Sequence, residues 1–298
     1  MFLFLSLILF PEGMFYTGIT RAKTAAGLFL PGFQPKCIRA NKKGQEEIER
    51  IHQNSMVEFQ HPRLDFFHNF PANDWKYVSL QNIRSMPLHK DDVLADPIIM
   101  ASSIICLTET SLTSDIWPSA NSFKSHNIFQ KNRSEAYTIT ELQQRKSGGV
   151  GLLCDKQFCT SQKQPNITSD LEIVSCKTDF AITSGRKTFI SLIYRDHKMK
   201  KQEFLRKMEL VFKAHENNVG LILGDFNFNM IEDDSLHRVA ASHCFKPIVS
   251  HPTTIHEHLL DQIFINSSIS EEAIRVHVLP SYFSDHHLVV LCIKKDIT

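Results

Sequence analysis

Eight polar side chains carry the chemistry legible in this sequence: Asn82, Glu109, Tyr194, Asp225, Asn227, Asp261, Asp285 and His286. Carboxylates carry charge and accept hydrogen bonds, while amides and a phenol can donate them. An imidazole is the side chain that gains or loses a proton nearest neutrality. Each of the eight sits at or beside the end of an apolar run, in LQN, LTE, LIY, LGDFN, LLD and SDHHLVV. One polar residue in such a place is most often a cap or a turn. Eight of them, in this order, are not explained that way.

The elements that must position them begin at Trp75. Apolar strands are expected at 75–83, 103–110, 148–155, 171–178, 187–195, 219–227, 259–266 and 288–295. Asp96 followed by Pro97 is an N-cap with proline at the first helical position, opening a short helix over PIIMAS. Between 196 and 217, Phe204, Met208, Val211, Phe212 and His215 fall on one helical face. Strands alternating with helices indicate an α/β protein, in which strand ends are rigid places to assemble a site.

The 298 residues include 33 Lys+Arg and 32 Asp+Glu, a formal net charge of +1. A basic coat for nucleic acid is excluded. Residues 75–298 carry 25 basic and 25 acidic side chains, so affinity for a polyanion must come from a local site and depend on salt. Seven cysteines without a CxxC indicate buried thiols, as at Cys106, Cys176 and Cys292, and a reducing compartment. His251, His256 and His258, near His243 and Cys244, invite a zinc reading. No CxxC or HExxH spacing supports it, and a polar loop leading into Asp261 is the simpler reading. Lys198, Lys200 and Lys201 either touch a nucleic-acid backbone or coat an exposed turn.

The opening MFLFLSLILF is shorter than the roughly 20 residues that span a bilayer. It lacks a basic n-region, and Pro11-Glu12-Gly13 is a poor cleavage site, so secretion is not expected. It reads as a buried strand or a stray leader. Phe10, Gly13, Tyr16, Thr20, Arg21, Gly27 and Leu28 then follow the pattern F-x-x-G-x-x-Y-x-x-x-[ST]-R-x-x-x-x-x-G-L. This resembles the last conserved segment of superfamily 1 helicases of the Pif and Helitron type, in which the arginine at the Arg21 position contacts the nucleotide γ-phosphate. No G-x-x-x-x-G-K-[ST] loop accompanies it, so residues 1–40 are read as a helicase remnant without ATPase activity. Residues 41–74, charge-rich and then proline-broken, are read as a linker.

From 75 to 298 the chain resembles the endonuclease/exonuclease/phosphatase superfamily. The likeness rests on LQNIRS, LTET, GGVGL, LIYR, LGDFN, LLDQIFIN and SDHHLVV, in that order. It implies a two-sheet α/β sandwich of the deoxyribonuclease I-like type. It implies Glu109 as the principal Mg2+ ligand (Mn2+ substituting), with Asn82 and Asp285 supporting. Asp225 would orient or deprotonate the attacking water. Tyr194 and Asn227 would hold the phosphate as neutral donors. His286 would hydrogen-bond the phosphoryl oxygen, with Asp261 orienting and charging it. Many apurinic endonucleases carry an acidic residue two positions after the Asn82 equivalent. Arg84 stands there instead, which favours the retroelement or Helitron branch. The expectation is therefore a Mg2+-dependent DNA endonuclease derived from a Helitron-like mobile element: a monomer, intracellular and nuclear, with no membrane partner. The rivals are a phosphatase or phosphodiesterase of the same fold acting on an inositol phosphate or phospholipid, and a catalytically silent element copy.

Overall fold

The computed structural model describes residues 63, 65–113, 123–136, 138, 140, 147–158, 160–162, 171–180, 187–266 and 269–295, besides the short pieces 3–4 and 28–29. The chain divides into two compact units, Met1–His61 and Pro62–Thr298. In the first, strands β1 (Leu3–Phe4) and β2 (Leu28–Phe29) pair in parallel. The rest of the helicase-like stretch, Phe10 to Gly27, lies outside the described residues.

The second unit holds two six-stranded sheets. One runs β13 (Ile274–Leu279), β14 (Leu288–Lys294), β3 (Trp75–Asn82), β4 (Ile104–Thr108), β6 (Val150–Asp155), β5 (His126–Lys131). The other runs β11 (Phe245–Pro247), β12 (Asp261–Asn266), β10 (Gly220–Asp225), β9 (Thr188–Tyr194), β8 (Glu172–Thr178), β7 (Thr160–Gln162). All eight strands expected from apolar runs are present. The four not expected, β5, β7, β11 and β13, are the four sheet edges. An edge strand is covered less, so it carries polar residues and loses its apolar signature.

Central strands read as continuous apolar runs because both of their faces are buried. Val78, Ile104, Cys106, Val289 and Leu291 join the core shared with the second sheet. Their neighbours Tyr77, Ile105, Leu107, Leu288 and Val290 form a separate core on the opposite face. That second core includes Ile98 and Ile99 of the helix Pro97–Met100, which Asp96 caps by accepting from both of their backbone N–H groups. It also includes Phe66, 2% exposed, from the short helix Phe66–Asn69. Phe66 packs on Tyr77, and Phe70 packs on Trp75 and His277. Phe66 and Phe70 thus belong to the sheet's covering, in a stretch that the sequence suggested was the end of a linker. On the second sheet the helix Lys201–His215 buries the expected stripe, Phe204, Met208, Val211, Phe212 and His215.

Within each sheet one parallel pair sets the position of the site. β3 runs parallel to β4 and β9 runs parallel to β10, so each pair ends at one edge of its sheet. Antiparallel neighbours begin there, placing Asp261 directly opposite Asp225.

Candidate active site

Register builds the first half of the site. Tyr194, Asp225 and Asp261 are consecutive members of one cross-strand row on β9, β10 and β12. Glu172, the first residue of β8, extends the row beyond Tyr194. Asp225 and Asp261 are fully buried, and His286 is nearly so. His286 reaches this row from the segment before β14, where it pairs as an isolated bridge with Thr254. Its Nδ1 lies 2.7 Å from Asp261 Oδ2. Gln81 fixes the backbone by donating to the His286 carbonyl at 2.9 Å, and Thr253 Oγ1 accepts from the Asp261 N–H at 3.0 Å.

The second half comes from the ends of β3 and β4. Asn82 Nδ2 donates to Asp225 Oδ2 at 2.8 Å, joining the two sheets. Glu109 follows β4 directly in a left-handed conformation, φ +53°. Its Oε1 accepts from the Tyr194 hydroxyl at 3.0 Å, and Ser147 Oγ lies 3.2 Å from the same hydroxyl. Asn227, also left-handed at φ +52°, gives its backbone N–H to Asp225 Oδ1 at 3.0 Å. One N–H of its side-chain amide goes to the Arg195 carbonyl at 2.8 Å. Asp285 forms an ion pair with Arg84. Direct contacts therefore join seven of the eight predicted residues into three groups, Asn82–Asp225–Asn227, Asp261–His286 and Tyr194–Glu109. The eighth, Asp285, is bonded through its side chain to Arg84, its one such partner among the described residues.

Two glycines make these placements possible. Gly224, at φ +156°, lies so close to β9 that any side chain would collide with the Ile193 carbonyl. Gly149, at φ +88°, has no room for a Cβ beside Thr110 Oγ1, and its N–H is taken by the Glu172 carboxylate. Both glycines belong to stretches that resemble the superfamily, but sequence reasoning gave no role to Glu172, Ser147, Gln81, Thr253 or Arg195. Glu172 opens the apolar run LEIV, a faint signal. Arg195 follows Tyr194 and clamps the loop after Asp225, donating to the carbonyls of Asn227 at 2.9 Å and Met199 at 2.6 Å.

Electrostatics separates the groups by task. Burial raises the Asp225 carboxyl, the His286 imidazolium pulls it back, and the Asp261 and Glu109 carboxylates raise it again, leaving it at about 7. Burial alone would lower His286, but Asp261 and then Asp225 outweigh it and push the imidazole up to about 10. Burial, with Glu109 and Asp225 nearby, pushes the Tyr194 phenol up, so it stays a neutral donor. A group near 7 suits general-base work, and a charged imidazole suits donation to an oxyanion. Ligand atoms of Asp225, Asp261 and His286 all lie within 4.8 Å of one another. His251, His256 and His258 are exposed, and among the described residues they join no group of three metal-ligating side chains. Lys201 is paired with Asp233. No helix among the described residues is long and apolar enough to cross a membrane.

Comparison with known proteins agrees with this geometry. Residues 61–286 match the Endonuclease/Exonuclease/phosphatase family. No curated protein sequence matches the chain. Among solved structures, the endonuclease domain of TRAS1, a telomere-specific non-LTR retrotransposon, superposes with a TM-score of 0.57 at 15% identity, covering 74% of this chain and 98% of that one. The human Nocturnin catalytic domain gives 0.54 at 17% identity, covering 75% and 94%. The 3'-5' exonuclease NExo from Neisseria meningitidis gives 0.52 at 14%, covering 72% and 98%. At these identities the likeness is one of fold: two mixed sheets with flanking helices, the deoxyribonuclease I-like arrangement. Family members are phosphoric ester hydrolases that typically use divalent metals. With a match over most of its length, the chain belongs to the endonuclease/exonuclease/phosphatase family.

Proposed function

We propose that the protein is a Mg2+-dependent phosphodiester hydrolase that nicks DNA. The observation that carries this reading is the buried Asp261–His286 pair set against Asp225, with Glu109 and Asn82 at the adjoining strand ends.

The residues present fit a hard divalent cation. Their donors are oxygens, and Oδ1 of Asp285 is buried without a hydrogen-bond partner, an anionic lone pair that calls for a cation. Glu109 would be the main holder, its free geometry reduced by the Tyr194 hydroxyl, with Asn82 and Asp285 in support. The metal supplies charge neutralisation at the phosphate when bound. Asp225 takes the proton of the attacking water or orients it, held by Asn82 and by the Asn227 N–H. His286 donates to a phosphoryl oxygen, and Asp261 keeps its ring charged and aimed. Asn227 retains one side-chain N–H for the phosphate. Tyr194 spends its single proton on Glu109, so in this state it orders the metal-holding carboxylate.

DNA is favoured as substrate because the N-terminal motif resembles that of a DNA helicase, which also supports descent from a Helitron-like mobile element. On this reading residues 1–40 are the remnant, the chain acts as a monomer, and it works in the nucleus. A complete set of family-matched residues, seven of them in direct contact with another of the set, supports turnover over silence. The test is conversion of supercoiled plasmid to open circle with Mg2+ or Mn2+. Nicking that persists in excess chelator sinks the proposal, and so does a parent protein that cleaves inositol phosphates while leaving plasmid intact.

A further inference from the structure

We infer that Arg84 contacts the phosphate backbone of the substrate, with Asp285 as its positioning residue; the inference rests on the DNA-nicking reading above.

Arg84 is fixed at both ends of its peptide unit. Its N–H donates to Asn82 Oδ1 at 3.0 Å, and its carbonyl accepts from Ser111 Oγ at 3.2 Å. Its φ of +57° is a strained choice for a residue with a long side chain. The same Asn82 amide binds Asp225, so the Arg84 backbone is tied to the groups expected to meet the reacting phosphate. The side chain leaves this anchor and is 57% exposed. One guanidinium nitrogen is taken by Asp285 Oδ2, and no other protein partner engages the guanidinium among the described residues. Asp285 is itself held, since its carbonyl accepts from the Ile255 N–H at 2.9 Å and the next residue is the locked His286.

Charge gives this arrangement a purpose. Glu109, Asp225 and Asp261 crowd one site in a region with no net positive charge, which repels a polyanion. A fixed cation at the mouth offsets that repulsion. An exposed ion pair contributes little stability, so a phosphate can share the guanidinium fork with Asp285 at small cost.

The test uses fluorescence anisotropy of the full chain with a labelled duplex oligonucleotide, in excess chelator, over a range of NaCl. Arg84→Gln should weaken binding by about three- to tenfold near 0.1 M salt and lower the log–log salt slope by about 1. Arg84→Lys should keep the slope, which separates lost charge from lost fold. Asp285→Asn should weaken binding less than Arg84→Gln, and the double variant should match Arg84→Gln alone. In nicking assays Arg84→Gln should raise KM and leave kcat within a few-fold. Mn2+ binding by the DNA-free protein, read by electron paramagnetic resonance, should be unchanged in Arg84→Gln. Parental affinity and slope in Arg84→Gln overturn the inference alone. Fully additive losses in the double variant, or a matching loss of Mn2+ binding in Arg84→Gln, also overturn it. A parent protein that does not bind duplex DNA overturns it together with the nicking proposal.

Discussion

Asp225 and Asp261 are wholly buried ends of neighbouring strands, aligned by sheet register, whereas Glu109, just after β4, and Asp285, in the segment before β14, lie partly exposed. The buried half has strongly shifted protonation, with an acid near 7 beside an imidazole near 10. Its counterpart gathers left-handed backbone, at Arg84, Glu109 and Ser111, where the Asp225 side has it at Asn227. Burial suits groups that move protons, because a low dielectric magnifies the influence of one charge on another. Exposure suits groups that must meet ions and substrate from solution. On this division the two halves should fail in different ways when altered.

The largest effects belong to the buried half. Asp225→Asn and His286→Ala should each lower kcat for plasmid nicking by about a hundredfold or more, with little change in DNA affinity and no recovery at high Mg2+. Asp261→Asn should be milder, and combining it with His286→Ala should add almost nothing, since the pair acts as one unit. Full additivity would break the comparison.

Glu109→Gln should lose less and lose it differently. Part of the missing rate should return as Mg2+ is raised, because the change weakens ion holding rather than proton movement. A loss indifferent to metal would assign Glu109 to the buried chemistry.

The pH profile sharpens the contrast. Asp225 must be ionised to accept a proton, so the rate should fall as pH drops below about 7, with saturating Mg2+ moving this limb lower. His286 must keep its proton, so the rate should fall as pH rises past about 10. Asp261→Asn should bring the alkaline limb to lower pH. Stability follows the same sign. The His286 contribution is complete below about 6.5 and is lost as pH climbs to about 10. Thermal melts across that window check this directly.

Phe66→Ala is the smallest disturbance to the site. It should cost about 3–5 kcal/mol of stability, as for a buried phenylalanine, and leave kcat per folded molecule unchanged. A fragment of residues 62–298 should unfold cooperatively, while 75–298 should melt much lower. Equal melting would restore the boundary at Trp75.

The buried half was the more legible in sequence, and the reason is physical. Strands such as LILGD and DQIFIN are covered on both faces, so their apolar runs announce them and their polar ends stand out. Edge strands are covered less: HNIFQK holds only two apolar residues and IRVHVL alternates with polar ones, so neither forms an apolar run. The helix Phe66–Asn69 escaped because two phenylalanines between prolines and polar residues look like a loop. Within the site, residue types and order singled out the carboxylates and His286, and the fold sets Asp225, Asp261 and His286 side by side. Which donor each one meets depends on folding: the Tyr194 hydroxyl on Glu109, Gln81 behind His286 and Arg84 on Asp285 have no signature in spacing.

The row Tyr194–Asp225–Asp261 has a consequence for how such a chain tolerates change over descent. Neighbouring rungs of a ladder carry these groups, so their alignment is a matter of counting residues along β9, β10 and β12. Substitutions that keep a strand apolar leave the count intact, and sequence can drift far while the constellation persists. One inserted or deleted residue inside a strand turns every later side chain to the opposite face. In a lineage that accumulates copying errors, frame-preserving length changes of a single codon within these strands would silence the enzyme while most point substitutions pass.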